Sequence, residues 1–197
     1  MAMGKVIPAT LTIPPKTMTI TKLTQNRFCA LDVVPDQIET VQIPALKNCC
    51  PFLDGTAAHA ALNRFFRDRP LSERHRSFLP LLLTIQAVCN RSPGRTIYSE
   101  KTFAWNAIGH GRVDAIALST TSSALLELKI VSQIPAAPRG ADLVQLASYA
   151  AMCRHTHPHA SWEAILVYAD LGRGIVCFFS FRKTSGMCDQ VREALAA

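Results

Sequence analysis

Acidic residues are scarce. The chain has 14 Asp and Glu against 21 Lys and Arg, a formal charge of +7. Between Arg74 and Leu126 the only acids are Glu100 and Asp114. An excess of this sign suits a polyanionic partner, although a solvated basic surface satisfies it as well. Long apolar runs are also lacking. The longest, Phe78 to Cys89, is interrupted by Pro80 and is too short to span a bilayer. At the N-terminus there is no apolar leader segment, the first Arg is Arg27, and Pro8, Pro14 and Pro15 break any early helix. These features predict a soluble intracellular protein without a membrane partner, placed in the cytoplasm, the nucleoid or, for a viral chain, a host compartment. No C-x-x-C occurs among the seven cysteines, which sit at positions 29, 49, 50, 89, 153, 177 and 188. An odd number at irregular spacing indicates neither a zinc knuckle nor a disulfide framework. No G-x-x-x-x-G-K-[ST] occurs either, so a P-loop is excluded.

What is present is a globular composition, 49% hydrophobic and 18% charged over 197 residues, enough for one domain with a real core. Residues 1–50 read as an N-terminal arm and lead-in, Thr- and Pro-rich up to residue 26, and 51–197 as the domain proper. "DGTAAHAALNRFFRD" predicts a helix with Asp54 as N-cap and Ala58, Leu62, Phe65 and Phe66 facing inward. "SFLPLLLTIQAVC" predicts a second, buried helix. Three strands follow in "TIYSEKTFAW", "GRVDAIALS" and "SALLELKIVS", then a helix in "ADLVQLASYAAMCRH". A hairpin of "EAILVYAD" and "IVCFFSF" and a closing helix complete the order. "HTHPH" at 155–159 reads as a polar loop past a helix rather than a metal site, and Cys89 and Cys177 as buried thiols.

One feature conflicts with burial. Asp114, Glu127 and Lys129 interrupt apolar strands, where an unpaired carboxylate costs several kcal/mol, on the order of 2–7 for a polar group. Strand alternation puts Glu127 and Lys129 on one face and Leu126, Leu128 and Ile130 on the other. A neighbouring strand that aims Asp114 at the same spot makes a hard, oxygen-rich site suited to Mg²⁺ or Mn²⁺. The metal then offsets the cost of burial, and the nearby ammonium can orient or help deprotonate an activated water. Glu-Leu-Lys alone is a common tripeptide and by itself reads as a surface pair on an edge strand.

The ordered set is more specific. "GTAAH" ending at His59, "GRVD" ending at Asp114, "ELK" at Glu127 to Lys129 and "QLASY" from Gln145 to Tyr149 span about half the chain. With these pieces it resembles the PD-(D/E)XK nuclease superfamily, within it the RecB-like branch that includes lambda exonuclease and the CRISPR-associated exonucleases. The last piece matches that branch's Q-x-x-x-Y motif. The resemblance implies a restriction-endonuclease-like α/β fold, a central mixed β-sheet flanked by helices. It implies that Asp114, Glu127 and the Leu128 backbone carbonyl bind Mg²⁺ or Mn²⁺, with His59 joining the metal shell. Lys129 would position the attacking water, and Gln145 and Tyr149 would face the substrate or Lys129. Glu100 is a further candidate, as a ligand of a second metal, a holder of water or a surface contact. Arg139, with Gln145 and Tyr149, is a candidate for touching nucleic acid. The iron–sulfur members use a late cluster of closely spaced cysteines. Here Cys153, Cys177 and Cys188 are dispersed, so no cluster is expected, although Cys29 lies where such proteins carry a first ligand.

The implied activity is metal-dependent hydrolysis of DNA phosphodiester bonds, as an exonuclease. RNA as substrate, and protein partners in repair, recombination or viral replication, stay open. The alternatives are a structure-specific or guide-associated endonuclease and, from another class, a non-catalytic nucleic-acid-binding module of the same fold.

Overall fold

The structure, a computed structural model, describes residues 31, 33–48, 55–105, 109–158 and 160–196. The expected arm at 1–26, Cys29, Cys49, Cys50 and the Asp54 cap lie outside the described residues. The six described strands are β1 (Gln37–Gln42), β2 (Thr96–Trp105), β3 (Gly109–Leu118), β4 (Ser122–Ile130), β5 (Ser161–Asp170) and β6 (Ile175–Phe181). They form one mixed sheet in the order β1-β6-β5-β4-β3-β2. β2, β3 and β4 form an antiparallel meander. β5 lies parallel to β4, which requires a crossover, and helix α4 (Gly140–Thr156) supplies it. The expected mixed α/β architecture, a central sheet flanked by helices, is observed.

The other described α-helices are α1 (Gly55–Phe66), the one-turn α2 (Glu73–Arg76), α3 (Leu79–Cys89) and α5 (Thr184–Ala196), and a 3-10 turn spans Pro44–Asn48. Pro80 falls in the first turn of α3, where a missing N–H has no partner to lose, so it opens the helix rather than interrupting the run. Among the described residues no helix is long and apolar enough to cross a membrane. Strand parity divides the core in two. Leu126, Leu128, Ile165 and Val167 pack with α1 and α3, while Leu125, Leu166, Tyr168 and Phe179 pack with α4 and α5. Each fully buried Leu or Phe stabilises the fold by roughly 1.5–3 kcal/mol. Both helices that flank the site approach the sheet through small residues, Ala57, Ala58 and Ala61 on α1 and Ala147, Ala150 and Ala151 on α4.

Residues 27–50 carry no clear pattern, yet β1 lies there and pairs antiparallel with β6, so the lead-in contributes an edge to the sheet. Of the basic residues, Arg95 is not part of a polyanion-facing surface. Its side chain is 1% exposed, bonds Ser122 O, Ser122 Oγ and Cys89 O, and pairs with Glu163 at 3.6 Å. Cys89, Cys153, Cys177 and Cys188 are free and buried, and burial pushes all four thiols above their ordinary pKa. α4 runs to Thr156 and takes in His155, which stacks on Trp105 at 4.9 Å, while the His157 carbonyl accepts the Trp162 indole N–H.

The β5–β6 turn depends on Gly174. Its φ is +64° and its carbonyl accepts the Ile43 N–H at 2.7 Å, so an added Cβ would lie 2.6 Å from the Ile43 carbonyl oxygen. Gly174→Ala is therefore expected to cost roughly 2–4 kcal/mol, from left-handed strain and overpacking together. Urea unfolding checks it, as a lower midpoint at unchanged slope.

Candidate active site

The site begins where two strands part. β3 and β4 pair at only three positions, Ala115 to Ala117 against Leu126 to Ala124. Asp114 stands at the opening, and its Oδ2 accepts the Leu128 N–H at 2.8 Å, replacing a ladder bond with a carboxylate. The N–H and C=O of a strand residue point to the same edge, so the Leu128 carbonyl faces the gap as well. On the other side of β3, pairing passes from Ser99–Ala115 to Lys101–Val113 and skips Glu100, whose φ is +49°. A left-handed non-glycine costs roughly 1–3 kcal/mol. The strain sits opposite Asp114.

Two helices close on this opening. From α1, His59 Nδ1 lies 2.9 Å from Asp114 Oδ1. That hydrogen bond raises the imidazole pKa above its ordinary 6.5, against the opposing effect of burial. From α4, Gln145 Nε2 donates to Glu127 Oε1 at 2.8 Å and contacts the Tyr149 hydroxyl at 3.1 Å, one turn along the same helix face. Lys129 Nζ donates to Glu127 Oε1 at 2.9 Å and to Gln145 Oε1 at 2.7 Å. Burial also pushes the Tyr149 phenol up to about 12. An open cleft of about 540 Å³ adjoins the opening on the α1 side, lined in part by His59, Glu100, Arg112, Leu128 and Lys129.

Glu127 has the least comfortable position. It is 3% exposed, and its Oε2 is buried without a hydrogen-bond partner. Burial first, and then the neighbouring Asp114, push its pKa up to about 8 in spite of Lys129. Nothing among the described residues satisfies that oxygen. Comparison with known protein families, curated proteins and solved structures finds no match. What the site can do is therefore read from its own chemistry. An orphaned carboxylate oxygen, a second carboxylate and a backbone carbonyl form a hard donor set that fits Mg²⁺ or Mn²⁺. Among the described residues no three His, Cys, Asp or Glu side chains are gathered into a cage. A cation here would thus rest on two carboxylates and a backbone oxygen, with His59 tied to one of them.

His59, Asp114, Glu127, Lys129, Gln145 and Tyr149 thus meet in one place. Glu100 reaches the cleft but not this network, since it accepts a hydrogen bond from Asn63 Nδ2 and pairs with Arg112 at 3.7 Å. Arg139 is exposed, with its backbone N–H donating to the Tyr168 hydroxyl at 3.0 Å and its guanidinium 5.9 Å from that ring. The sequence reading misses Asp142. Its Oδ1 is 3.8 Å from Lys129 Nζ, and its Oδ2 accepts the Tyr168 hydroxyl at 2.7 Å. The signal for it is helical spacing, because Asp142, Gln145 and Tyr149 fall on one face of α4.

The metal-free protein carries a pH signature. Glu127 has a raised folded pKa, so folding favours its neutral form. It costs nothing well below the ordinary carboxylate value of 4.5 and destabilises progressively as pH rises toward about 8. His59, also raised, contributes stability below pH 6.5 that is lost as pH rises through its folded value. Both act in the same direction. In EDTA the melting temperature is expected to fall between pH 5 and pH 8, a loss on the order of a few kcal/mol. Glu127→Gln should flatten most of that decline, as differential scanning fluorimetry across pH would record.

Proposed function

We propose that the protein is a divalent-metal-dependent deoxyribonuclease of restriction-endonuclease-like fold, of the PD-(D/E)XK kind, and that it acts as an exonuclease. The observation that carries this reading is convergence. Four segments, α1, β3, β4 and α4, contribute two hydrogen-bonded groups that meet on β4 at a sheet opening, and one of them contains a buried carboxylate oxygen with no partner among the described residues. Among the described residues Glu127 Oε2 is one of three such buried atoms, with His157 Nε2 and Asp170 Oδ2, and it lies beside a second carboxylate, Asp114.

Glu127, Asp114 and the Leu128 carbonyl would hold the ion, with His59 as a nitrogen donor beside Asp114. When bound, a divalent ion polarises the scissile phosphate and lowers the pKa of a neighbouring water. The chain's own residues position the reaction. Glu127 and Gln145 fix the Lys129 ammonium, which orients the attacking water in line with the leaving oxygen and donates to the phosphoryl oxygens as charge builds. Tyr149 holds Gln145 in turn.

A digestion panel tests the proposal. Linear blunt, tailed and single-stranded DNA should be degraded in Mg²⁺ or Mn²⁺, with circular DNA left intact. A cut circle would make the enzyme an endonuclease. No metal-dependent product from any substrate would leave a non-catalytic binding module, in which Glu127 Oε2 has no task.

His59 tests the metal shell. Imidazole nitrogen favours Mn²⁺ over Mg²⁺ more than carboxylate oxygen does. His59→Ala is expected to lower the rate and to lose most of the Mn²⁺ preference. Gln145→Ala should lower the rate and keep that preference. An unchanged Mn²⁺/Mg²⁺ rate ratio in His59→Ala would make His59 only a support for Asp114.

A further inference from the structure

Arg112 has no role in the chemistry described above, and its surroundings are unusual. It precedes Asp114 by two residues on β3, so alternation turns both side chains to the same side of the strand. It lines the cleft with His59 and Lys129, yet its side chain remains 65% exposed. Among the described residues its one ion pair is with Glu100 at 3.7 Å, too long for a hydrogen bond, and its guanidinium makes no hydrogen bond. Glu100 is itself held from the other side by Asn63, on a backbone bent into the left-handed region opposite Asp114. A fork of N–H donors stands open at the mouth of the cleft, and a carboxylate rests beside it.

We propose that Arg112 binds a DNA phosphate next to the scissile one, and that Glu100 is its counter-ion rather than a metal ligand; this rests on the nuclease reading above. A guanidinium presents parallel donors that match two phosphate oxygens, which a carboxylate at 3.7 Å does not engage. Entry of a phosphate therefore exchanges a loose ion pair for charge-assisted hydrogen bonds. Asn63 keeps Glu100 at the rim of the cleft, where it holds the arginine in place while DNA is absent. The left-handed turn at Glu100 aims its carboxylate at Asn63 and Arg112 instead of the Asp114–Glu127 opening.

The test separates binding from chemistry. Fluorescence anisotropy of a labelled DNA 20-mer is measured in EDTA, where cleavage cannot occur, over a range of salt. Arg112→Ala is expected to weaken binding about ten-fold at low salt and to reduce the salt slope by about one, while Arg112→Lys restores part of both. Glu100→Gln should bind DNA at least as tightly as wild type and should bind Mn²⁺, by calorimetric titration without DNA, with unchanged affinity. DNA affinity and salt slope unchanged in Arg112→Ala would overturn the phosphate role, even if the wild type cuts DNA. A ten-fold loss of Mn²⁺ affinity in Glu100→Gln would overturn the counter-ion role and make Glu100 a ligand. A wild type that neither binds nor cuts the 20-mer would remove the nuclease reading and this inference with it.

Discussion

Asp114→Asn and Glu127→Gln are each expected to lower cleavage by about three orders of magnitude or more in both Mg²⁺ and Mn²⁺, equivalent to about 4 kcal/mol of lost transition-state stabilisation. Neither change should unfold the protein. Asp114→Asn keeps an oxygen that can accept the Leu128 N–H. Glu127→Gln removes a charge that burial and Asp114 already oppose, so the metal-free variant should melt above wild type at pH 8. This pairing, lower activity with higher stability, distinguishes a metal ligand from a structural acid. A structural acid predicts the reverse, lower stability with activity kept in the folded fraction. Steady-state cleavage alongside thermal melting checks both halves.

Lys129→Ala carries the second large effect. Its ammonium is fixed by Glu127 Oε1 and Gln145 Oε1, with Asp142 beyond at 3.8 Å, and it faces the cleft. Losing a donor aimed at developing charge typically costs about 10²–10³ in rate. DNA affinity should stay within a few-fold of wild type, because this ammonium is already engaged by Glu127 and Gln145, unlike the open guanidinium of Arg112. Single-turnover cleavage and anisotropy together decide the matter. If rate and affinity fall in step, Lys129 is a phosphate-binding residue and has no part in orienting the water.

Much of this site is legible in the sequence, for identifiable reasons. A period of two puts Glu127 and Lys129 on one face of β4 whatever strands lie beside it, and a period of 3.6 does the same for Gln145 and Tyr149. Asp142 shares that helix face, but an acid in a first helical turn is also the ordinary complement to the helix dipole, so spacing alone does not single it out. The left-handed backbone at Glu100 leaves no mark in sequence, because it arises where β2 and β3 lose their pairing. β1 is hidden for another reason. Its two apolar residues, the exposed Ile38 and the half-buried Val41, fall on opposite faces, and the rest of "QIETVQ" is polar, so no apolar alternation marks it. Arg95 shows the limit of counting charge, since a buried arginine bonded to carbonyls contributes to the net charge without facing any partner.

The central claim is that one cation site built on Glu127 and Asp114 drives cleavage of DNA. Its most direct test is a single co-titration. Mn²⁺ is added to metal-free protein while bound ion is followed by electron paramagnetic resonance and cleavage of a labelled linear duplex is followed in the same samples. The expected result is that cleavage rises with occupancy of a site that Glu127→Gln abolishes, and that EDTA returns both to zero. Cleavage that persists in EDTA, or Mn²⁺ binding and cleavage that are indifferent to Glu127→Gln, would contradict it.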